Sequence, residues 1–143
     1  FLQRGADLGL RLLHAFHRTF LAGAEKVVII GSDMPHIEPR TIAKAFELLA
    51  RKDVVLGPAS DGGYYLIGLK KPAPPLFEGI SWSSDKVFAE TLDRIRKNGL
   101  LLGSLPRGTD VDAWPDLAAL AKILSRRKGK TARFTRKALE RIP

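Results

Sequence analysis

Polar residues able to do chemistry follow three short apolar runs in the sequence. The runs, over 27–30, 54–56 and 100–105, have the composition of buried strands. Because ligands of open α/β sheets bind beyond the carboxyl ends of the strands, we expect the polar residues to share one site. The three clusters are Gly31-Ser32-Asp33-Met34-Pro35-His36, Ser60-Asp61-Gly62-Gly63-Tyr64 and Asp110-Val111-Asp112.

Asp33 is the strongest candidate for a metal ligand. It follows a predicted strand, and Pro35 soon ends any further pairing. Mg²⁺ favours one or two carboxylates together with phosphate oxygens, so a second carboxylate from a distant loop, such as Asp112, would meet its needs. The alternative is that Asp33 tightens a turn or caps the helix that starts near Pro39, and the residues alone leave both interpretations open.

The late aspartates divide into two kinds. Asp110 and Asp112 are two residues apart, so their side chains point the same way if the chain is extended. Asp116 falls in the first turn of a predicted helix, where a carboxylate complements the helix dipole. We therefore expect Asp33 and Asp112 to converge on one divalent cation, and Asp116 to cap its helix.

Other candidates are weaker on their own. Asp61-Gly62-Gly63 allows close approach of the backbone to a ligand, but the same tripeptide forms an ordinary turn. Trp82 could stack on a sugar or a base, or cover the core. His36 lies in the Asp33 loop, where a role in catalysis and a role in the turn are both open.

The elements that must position these residues alternate between helix and strand, which predicts an α/β fold. We expect a three-layer sandwich with a mostly parallel sheet, in which Val27–Ile30 is a central parallel strand. Tyr64–Leu69 follows the strand at 54–56 too closely for a crossover helix, so it should run antiparallel. Predicted helices cover 7–22, a segment from Pro39, a segment after serine caps at Ser81, Ser83 and Ser84, and a segment that contains Leu117–Leu124.

Composition excludes several classes of protein. The chain has 143 residues and no cysteine, which indicates at most one domain and excludes disulfides and Cys-based zinc sites. No apolar stretch is long enough to span a bilayer, and a cytoplasmic location is expected.

The net charge of +9 is concentrated near the end of the chain, since residues 125–143 hold eight Lys or Arg and one Glu. That segment has one aromatic residue, Phe134, and is interpreted as a solvated tail; specific binding of nucleic acid is not expected.

Taken together, four motifs resemble a bacterial family of glycosyltransferase-A-like proteins of the arsenosugar-biosynthesis type. This family is related to the guanylyltransferases of molybdenum-cofactor and phospholactate metabolism. The resemblance covers roughly residues 3–124, and the order of the motifs is more specific than any one of them. The motifs are Gly31–His36, Leu56–Gly68, Ile80–Ser83 and Asp110–Asp112, with Asp7-Leu8-Gly9 and Arg11 also fitting the pattern.

The resemblance implies a nucleotide-diphospho-sugar transferase fold, with Mg²⁺ or Mn²⁺ bridging protein and diphosphate. It implies Asp33 and Asp112 as metal ligands, and a substrate-binding role for Ser32, Asp61, Gly62, Gly63, Trp82 and Asp110. Ala113 departs from the pattern, which commonly has Thr there. The N-terminal strand and nucleotide loop of the family have no counterpart. Residues 1–124 are therefore expected to form the C-terminal two-thirds of the domain, followed by a basic tail over 125–143.

The expected function is metal-dependent transfer of a glycosyl group from a nucleotide-activated sugar to an acceptor. Transfer of a nucleotidyl group, as in the related guanylyltransferases, is the alternative within the same class. A truncated, non-catalytic relative is a second class, favoured by the missing nucleotide loop and opposed by the presence of Asp33, Asp61 and Asp112.

Overall fold

The computed structural model describes residues 4–108, 111, 114–126 and 132–140. The described residues form one mixed sheet of four strands with helices packed against it, as expected for the α/β class. The helices are α1 (Leu8–Leu21), α2 (Pro39–Leu48), α3 (Val87–Lys97), α4 (Trp114–Arg126) and α5 (Arg133–Leu139), with a short 3₁₀ helix at Pro74–Phe77. The strands are β1 (Val27–Ile30), β2 (Val54–Pro58), β3 (Tyr64–Leu69) and β4 (Leu102–Ser104).

Strand order in the sheet is β1-β3-β2-β4. β3 pairs antiparallel with both β1 and β2, and β2 pairs parallel with β4. The antiparallel direction of β3 is therefore confirmed, and the other three strands share one direction. This agrees with the prediction of one antiparallel strand in a mostly parallel sheet. Because β3 is inserted between β1 and β2, however, one of the three pairings among the described strands is parallel, and the sheet is mixed.

The prediction that β1 is a central parallel strand is wrong for the described sheet. β1 lies at its edge, and its partner β3 is antiparallel. Exposure rises along the strand, from a buried Val27 to an Ile30 that is 41% exposed. A run of four apolar residues indicates apolar surroundings, but it does not determine how many neighbours the strand has.

Two core clusters lie on opposite faces of the sheet. In β2, Val54 and Leu56 contribute to the first cluster and Val55 to the second, as the alternation of a strand requires. The first cluster includes Leu12 and Phe16 of α1, Leu76 and Phe77 of the 3₁₀ helix and Ile95 of α3. The second includes Ala45 of α2 and its C-cap residue Leu49, together with Met34, Tyr65, Leu66 and Leu105. Helix on both faces of the sheet agrees with the three-layer expectation.

Local signals account for most helix boundaries. The Asp7 carboxylate accepts a hydrogen bond from the Leu10 amide at 2.8 Å and caps α1. Pro39 opens α2, as the fixed backbone angle of proline favours. The predicted serine caps of α3 are wrong, because Lys86 is the N-cap residue and no side chain caps this helix. The serines hold the preceding loop together instead, as described below.

None of the described helices combines the length and apolar character needed to cross a membrane. The tail beyond residue 125 contains α5, which buries none of its residues. It contacts α4 through the Arg136 guanidinium, which donates to the Leu124 carbonyl oxygen.

Candidate functional site

The loops that follow β1 and β2 open into one cleft of about 730 Å³ at the carboxyl ends of these strands. Since β1 and β2 run in the same direction, their carboxyl ends lie at the same edge of the sheet. Five of the residues predicted from sequence line the cleft: Ser32, Asp33, Asp61, Gly63 and Trp82. Asp85 and Tyr64 also line it, as do Leu8 and Leu12 of α1. The cleft is therefore the candidate site.

Asp33 presents its carboxylate at the surface of the cleft. A Cβ atom at position 31 would overlap Oδ1 of Asp33, so Gly31 makes room for this orientation. The Gly31 amide donates to the Tyr65 carbonyl oxygen at 2.9 Å, which ties the loop to β3. Within the described part of the chain, the Asp33 carboxylate accepts no hydrogen bond and forms no ion pair, so its oxygens are available to a ligand.

The segment after β4 reaches the Asp33 loop. The Val111 amide donates to the Asp33 carbonyl oxygen at 3.1 Å. Val111 stands between Asp110 and Asp112, both of which lie outside the described residues. The convergence of Asp33 and Asp112 on one cation thus stays a prediction.

The donor chemistry of Asp33 suits a hard cation such as Mg²⁺ or Mn²⁺, which takes carboxylate oxygen ligands. Among residues 4–108, 111, 114–126 and 132–140, no three His, Asp or Glu side chains form a group able to hold a metal ion. A single carboxylate ligand would leave positions on such a cation for substrate oxygens and water, and the metal role of Asp33 stays a prediction.

The loop at Asp61-Gly62-Gly63 is held as a tight turn. The Asp61 carboxylate accepts a hydrogen bond from the Gly63 amide at 2.8 Å. Gly62 has a φ of 91°, and a side chain there would overlap the backbone of Asp85. The Gly62 carbonyl oxygen accepts from the Phe88 amide at 2.8 Å, in the first turn of α3. Asp61 thus stabilises the turn and also borders the cleft, whereas Gly62 packs behind it.

The loop that carries Trp82 is held by Glu90 of α3. The Glu90 carboxylate accepts hydrogen bonds from the Ser81 amide at 2.6 Å and from the Ser81 hydroxyl at 3.0 Å. The Ser84 hydroxyl donates to the Ser81 carbonyl oxygen at 2.6 Å. Ser83 adopts a φ of 63°, a conformation that costs a residue with a side chain about 1 kcal/mol or more.

Trp82 packs directly on helix α1. A Cβ atom at Gly9 would lie 2.5 Å from the indole nitrogen of Trp82, so the absence of a side chain lets the ring lie against the helix backbone. Trp82 is partly buried against the first core cluster and also lines the cleft. The interpretation of Trp82 as a cover for the core is therefore confirmed, and stacking on a sugar or a base stays a prediction.

Sequence reasoning missed Tyr65. A β-bulge inserts Tyr65 into β3, because Gly57 pairs with Leu66 and Pro58 pairs with Tyr64. Tyr64 therefore packs against the first cluster and Tyr65 against the second. The Tyr65 hydroxyl donates to the Pro106 carbonyl oxygen at 3.0 Å. Burial raises the pKa of Tyr65, so the hydroxyl stays protonated at neutral pH.

His36 does not line the cleft that contains Asp33. It is 8% exposed and borders a second cleft of about 640 Å³, together with Met34, Arg40, Arg107 and Ile123. Its proximity to Asp33 in sequence therefore does not bring it into the candidate site.

Comparisons with known proteins agree with the fold. The model of the DUF2064 family, described as "Uncharacterized protein conserved in bacteria", matches residues 1–84. A crystal structure described as a "putative nucleotide-diphospho-sugar transferase" from Desulfovibrio desulfuricans G20 is similar, with 38% sequence identity and a TM-score of 0.89. The match covers 97% of this chain and 60% of that one. No curated protein matches the chain significantly.

Proposed function

We propose that this chain, which belongs to the DUF2064 family, is a metal-dependent transferase of nucleotide-activated sugars. The observation that carries the proposal is the cleft that brings Asp33, Asp61 and Trp82 together. The similarity to the Desulfovibrio desulfuricans structure supports the general kind of substrate, a nucleotide-diphospho-sugar. This chain spans 60% of that protein, so the activity of the whole protein is part of the proposal.

Under this proposal, Asp33 contacts a Mg²⁺ or Mn²⁺ ion, and Asp112 supplies a second carboxylate. The hydrogen bond between the Val111 amide and the Asp33 carbonyl oxygen supports this pairing, because it brings the segment that contains Asp112 to the Asp33 loop. When bound, the cation would neutralise negative charge that develops on the leaving diphosphate. Two carboxylates alone suit a cation that also takes oxygen ligands from phosphate.

The remaining walls of the cleft would bind and orient the substrate. Trp82 offers an aromatic surface for a sugar or a base, and its position on Gly9 fixes the ring. Ser32 and Asp61 offer polar groups for sugar hydroxyls, and the Asp61 loop would line the acceptor side. Asp110 is proposed as a further substrate-binding residue. Gly63 lets the substrate approach the backbone closely. Rigid walls of this kind align the reacting groups before the chemical step.

Glycosyl and nucleotidyl transfer differ in the bond that breaks. In glycosyl transfer the bond from the anomeric carbon to the diphosphate oxygen breaks, and a nucleoside diphosphate leaves. In nucleotidyl transfer an acceptor oxygen attacks the α-phosphorus, the bond from that phosphorus to the bridging oxygen breaks, and pyrophosphate or a sugar phosphate leaves. We propose glycosyl transfer because the four motifs resemble a family of glycosyltransferase-A-like proteins. The leaving group, a nucleoside diphosphate or not, distinguishes glycosyl transfer from nucleotidyl transfer.

The first prediction concerns Asp33. Asp33→Asn should lower the affinity for Mn²⁺ by about 10-fold or more, since it replaces a charged ligand by a neutral one. Mn²⁺ binding can be followed by the loss of the electron paramagnetic resonance signal of the free ion. Binding of a panel of nucleotide sugars can then be compared with and without Mn²⁺.

Asp116→Asn is the matched control, because Asp116 lies in the first turn of α4 and is expected to act on that helix alone. It should leave Mn²⁺ affinity nearly unchanged. Equal losses in both variants would mean that the metal site is wrongly assigned. Absence of Mn²⁺ binding in the unsubstituted protein would contradict the metal dependence itself.

A further inference from the structure

We infer that Tyr65 is a positioning residue that fixes the segment from Pro106 to Gly108, and through it Val111, relative to the Asp33 loop. The expected effect of Tyr65 on metal binding rests on the proposed function. Its role in positioning the segment after β4 concerns the metal-free protein and does not. Tyr65 lies within the Leu56–Gly68 motif, but the sequence predicts no role for it. The position of Tyr65 between the two carboxylate-bearing segments carries the argument.

Tyr65 forms hydrogen bonds with both the loop after β1 and the segment after β4. Its carbonyl oxygen accepts a hydrogen bond from the Gly31 amide at 2.9 Å, two residues before Asp33. Its hydroxyl donates to the Pro106 carbonyl oxygen at 3.0 Å, in the segment that leads from β4 toward Asp110. One residue thus links the loop after β1 to the segment after β4.

The surroundings hold the Tyr65 ring in one place. A Cβ atom at Gly57 would lie 2.5 Å from Cζ of the ring, and one at Gly108 would lie 2.9 Å from its Cδ1. Glycine at both positions leaves space for the ring on two sides. The side chain is 5% exposed, so the hydroxyl has few alternatives to the Pro106 carbonyl oxygen. The ring therefore holds the segment after β4 at a fixed position relative to β3.

Neighbouring hydrogen bonds extend the same link. The Ser60 hydroxyl donates to the Gly108 carbonyl oxygen at 2.9 Å, and the Gly108 amide donates to the Pro58 carbonyl oxygen at 2.9 Å. The Val111 amide then donates to the Asp33 carbonyl oxygen at 3.1 Å.

Substitution of residues that orient metal ligands without touching the metal typically changes metal affinity 10- to 100-fold. Loss of the Tyr65 hydroxyl should change Mn²⁺ affinity by an amount near the lower end of that range.

The experiment compares Tyr65→Phe with Tyr64→Phe, which form a matched pair of adjacent tyrosines. Each substitution removes one buried hydroxyl and keeps the ring. The Tyr64 hydroxyl lies beside Thr91 of α3, on the opposite face of the sheet. Tyr65→Phe should therefore act on the segment after β4, and Tyr64→Phe should not.

Hydrogen–deuterium exchange of the metal-free protein gives the first result. Tyr65→Phe should speed exchange at the Gly108 and Val111 amides, while the amides of β2 and β3 keep wild-type rates. Uniformly faster exchange would indicate general destabilisation and would overturn the positioning role. Unchanged exchange at Gly108 and Val111 would overturn it too.

Mn²⁺ affinity gives the second result. Tyr65→Phe should bind Mn²⁺ roughly 10-fold more weakly than the unsubstituted protein. Equal affinity in Tyr65→Phe and the unsubstituted protein would overturn the link to the metal site. If the unsubstituted protein binds no Mn²⁺, the proposed function fails, and the exchange experiment still decides whether Tyr65 positions the segment.

Gly108→Ala provides an independent variant with the hydroxyl intact. Its added methyl group would lie 2.8 Å from the Met34 sulfur and 2.9 Å from the Tyr65 ring. It should speed exchange at Val111 and weaken Mn²⁺ binding in the same direction as Tyr65→Phe. A Gly108→Ala protein with unchanged values of both quantities would contradict the inference.

Discussion

At the scale of single residues, the site depends on glycines as much as on carboxylates. Gly31 leaves space for the Asp33 carboxylate, and Gly9 leaves space for the Trp82 indole. In both pairs the residue that could contact a ligand is adjacent to one that has no side chain. The sequence signals the aspartate and the tryptophan, but the spatial partner of Trp82 is more than seventy positions away along the chain.

Substitution of Gly9 sets two effects against each other. Alanine favours a helix interior over glycine by about 1 kcal/mol. Its methyl group would however lie 2.5–2.6 Å from three atoms of the Trp82 indole. Crowding of that kind typically costs about 1–3 kcal/mol, so Gly9→Ala should lower the free energy of unfolding.

Tryptophan fluorescence provides the measurement for Gly9→Ala. Trp114, which is 65% exposed, should first be replaced by phenylalanine so that emission reports on Trp82 alone. Emission should shift to longer wavelength as the indole moves toward solvent. Leu10→Ala, on the exposed side of the same helix, is the control and should leave the emission unchanged. A more stable Gly9→Ala protein with unchanged emission would contradict the packing argument.

At the scale of elements, α3 holds two loops of the cleft in place. Glu90 accepts two hydrogen bonds from Ser81, and the Phe88 amide donates to the Gly62 carbonyl oxygen. The backbone and hydroxyl hydrogen bonds from Ser81 lower the pKa of Glu90, and the positive charges of Lys86 and Arg94 act in the same direction. The helix thus couples the Trp82 loop to the Asp61 turn.

This coupling predicts a dependence on pH. Because the pKa of Glu90 is lower in the folded protein than its usual 4.5, the stabilisation is present above pH 4.5 and is lost as the pH falls through the folded value. Trp82 emission should therefore shift in acid. Glu90→Gln should show a shifted emission already at neutral pH and lose most of the acid response.

Asp93→Asn is the control for Glu90→Gln. The pKa of Asp93 is also lowered, by its hydrogen bond and ion pair with Lys97, at 2.7 Å between Oδ2 and Nζ. Both partners lie on α3, so the acid response of Trp82 should survive this substitution. Loss of the response in Asp93→Asn but not in Glu90→Gln would refute the role of Glu90.

Much of the element order could be predicted from sequence, and the exceptions have physical causes. β3 is antiparallel because its connection to β2 is too short for a crossover. The position of β1 at the edge could not be predicted, because an apolar run does not encode which strand lies beside it. The bulge at Tyr65 could not be predicted either. Tyr64 and Tyr65 are the same type of residue, and only the pairing register determines which of them faces which side of the sheet.

At the scale of the whole molecule, the excess positive charge and the apolar core lie in different parts of the chain. Residues 125–143 carry a net charge of +7, whereas residues 1–124 carry +2. α5 contains no buried residue, and both core clusters lie among elements that precede α4. The tail therefore carries most of the net charge, and its described residues, 125–126 and 132–140, belong to neither cluster.

Truncation after Arg126 tests this separation. The shortened protein should lose little stability, about 1 kcal/mol, corresponding to the hydrogen bond from Arg136 to Leu124. It should elute from heparin at lower salt, because the basic segment is gone. Mn²⁺ affinity should be unchanged. A large loss of Mn²⁺ affinity would show that the tail contributes to the site, and retention of salt-dependent DNA binding would place the basic surface elsewhere.

The bulge in β3 also bears on how this chain can vary in length. Removing one residue from the segment between Pro58 and Leu66 would restore a regular ladder and turn one tyrosine to the opposite face. The space between Gly57 and Gly108 would then be empty, or the first core cluster would lose Tyr64. Substitutions within this segment are therefore easier to accommodate than deletions. Relatives that keep the site are expected to keep the number of residues here, even where the residues themselves change.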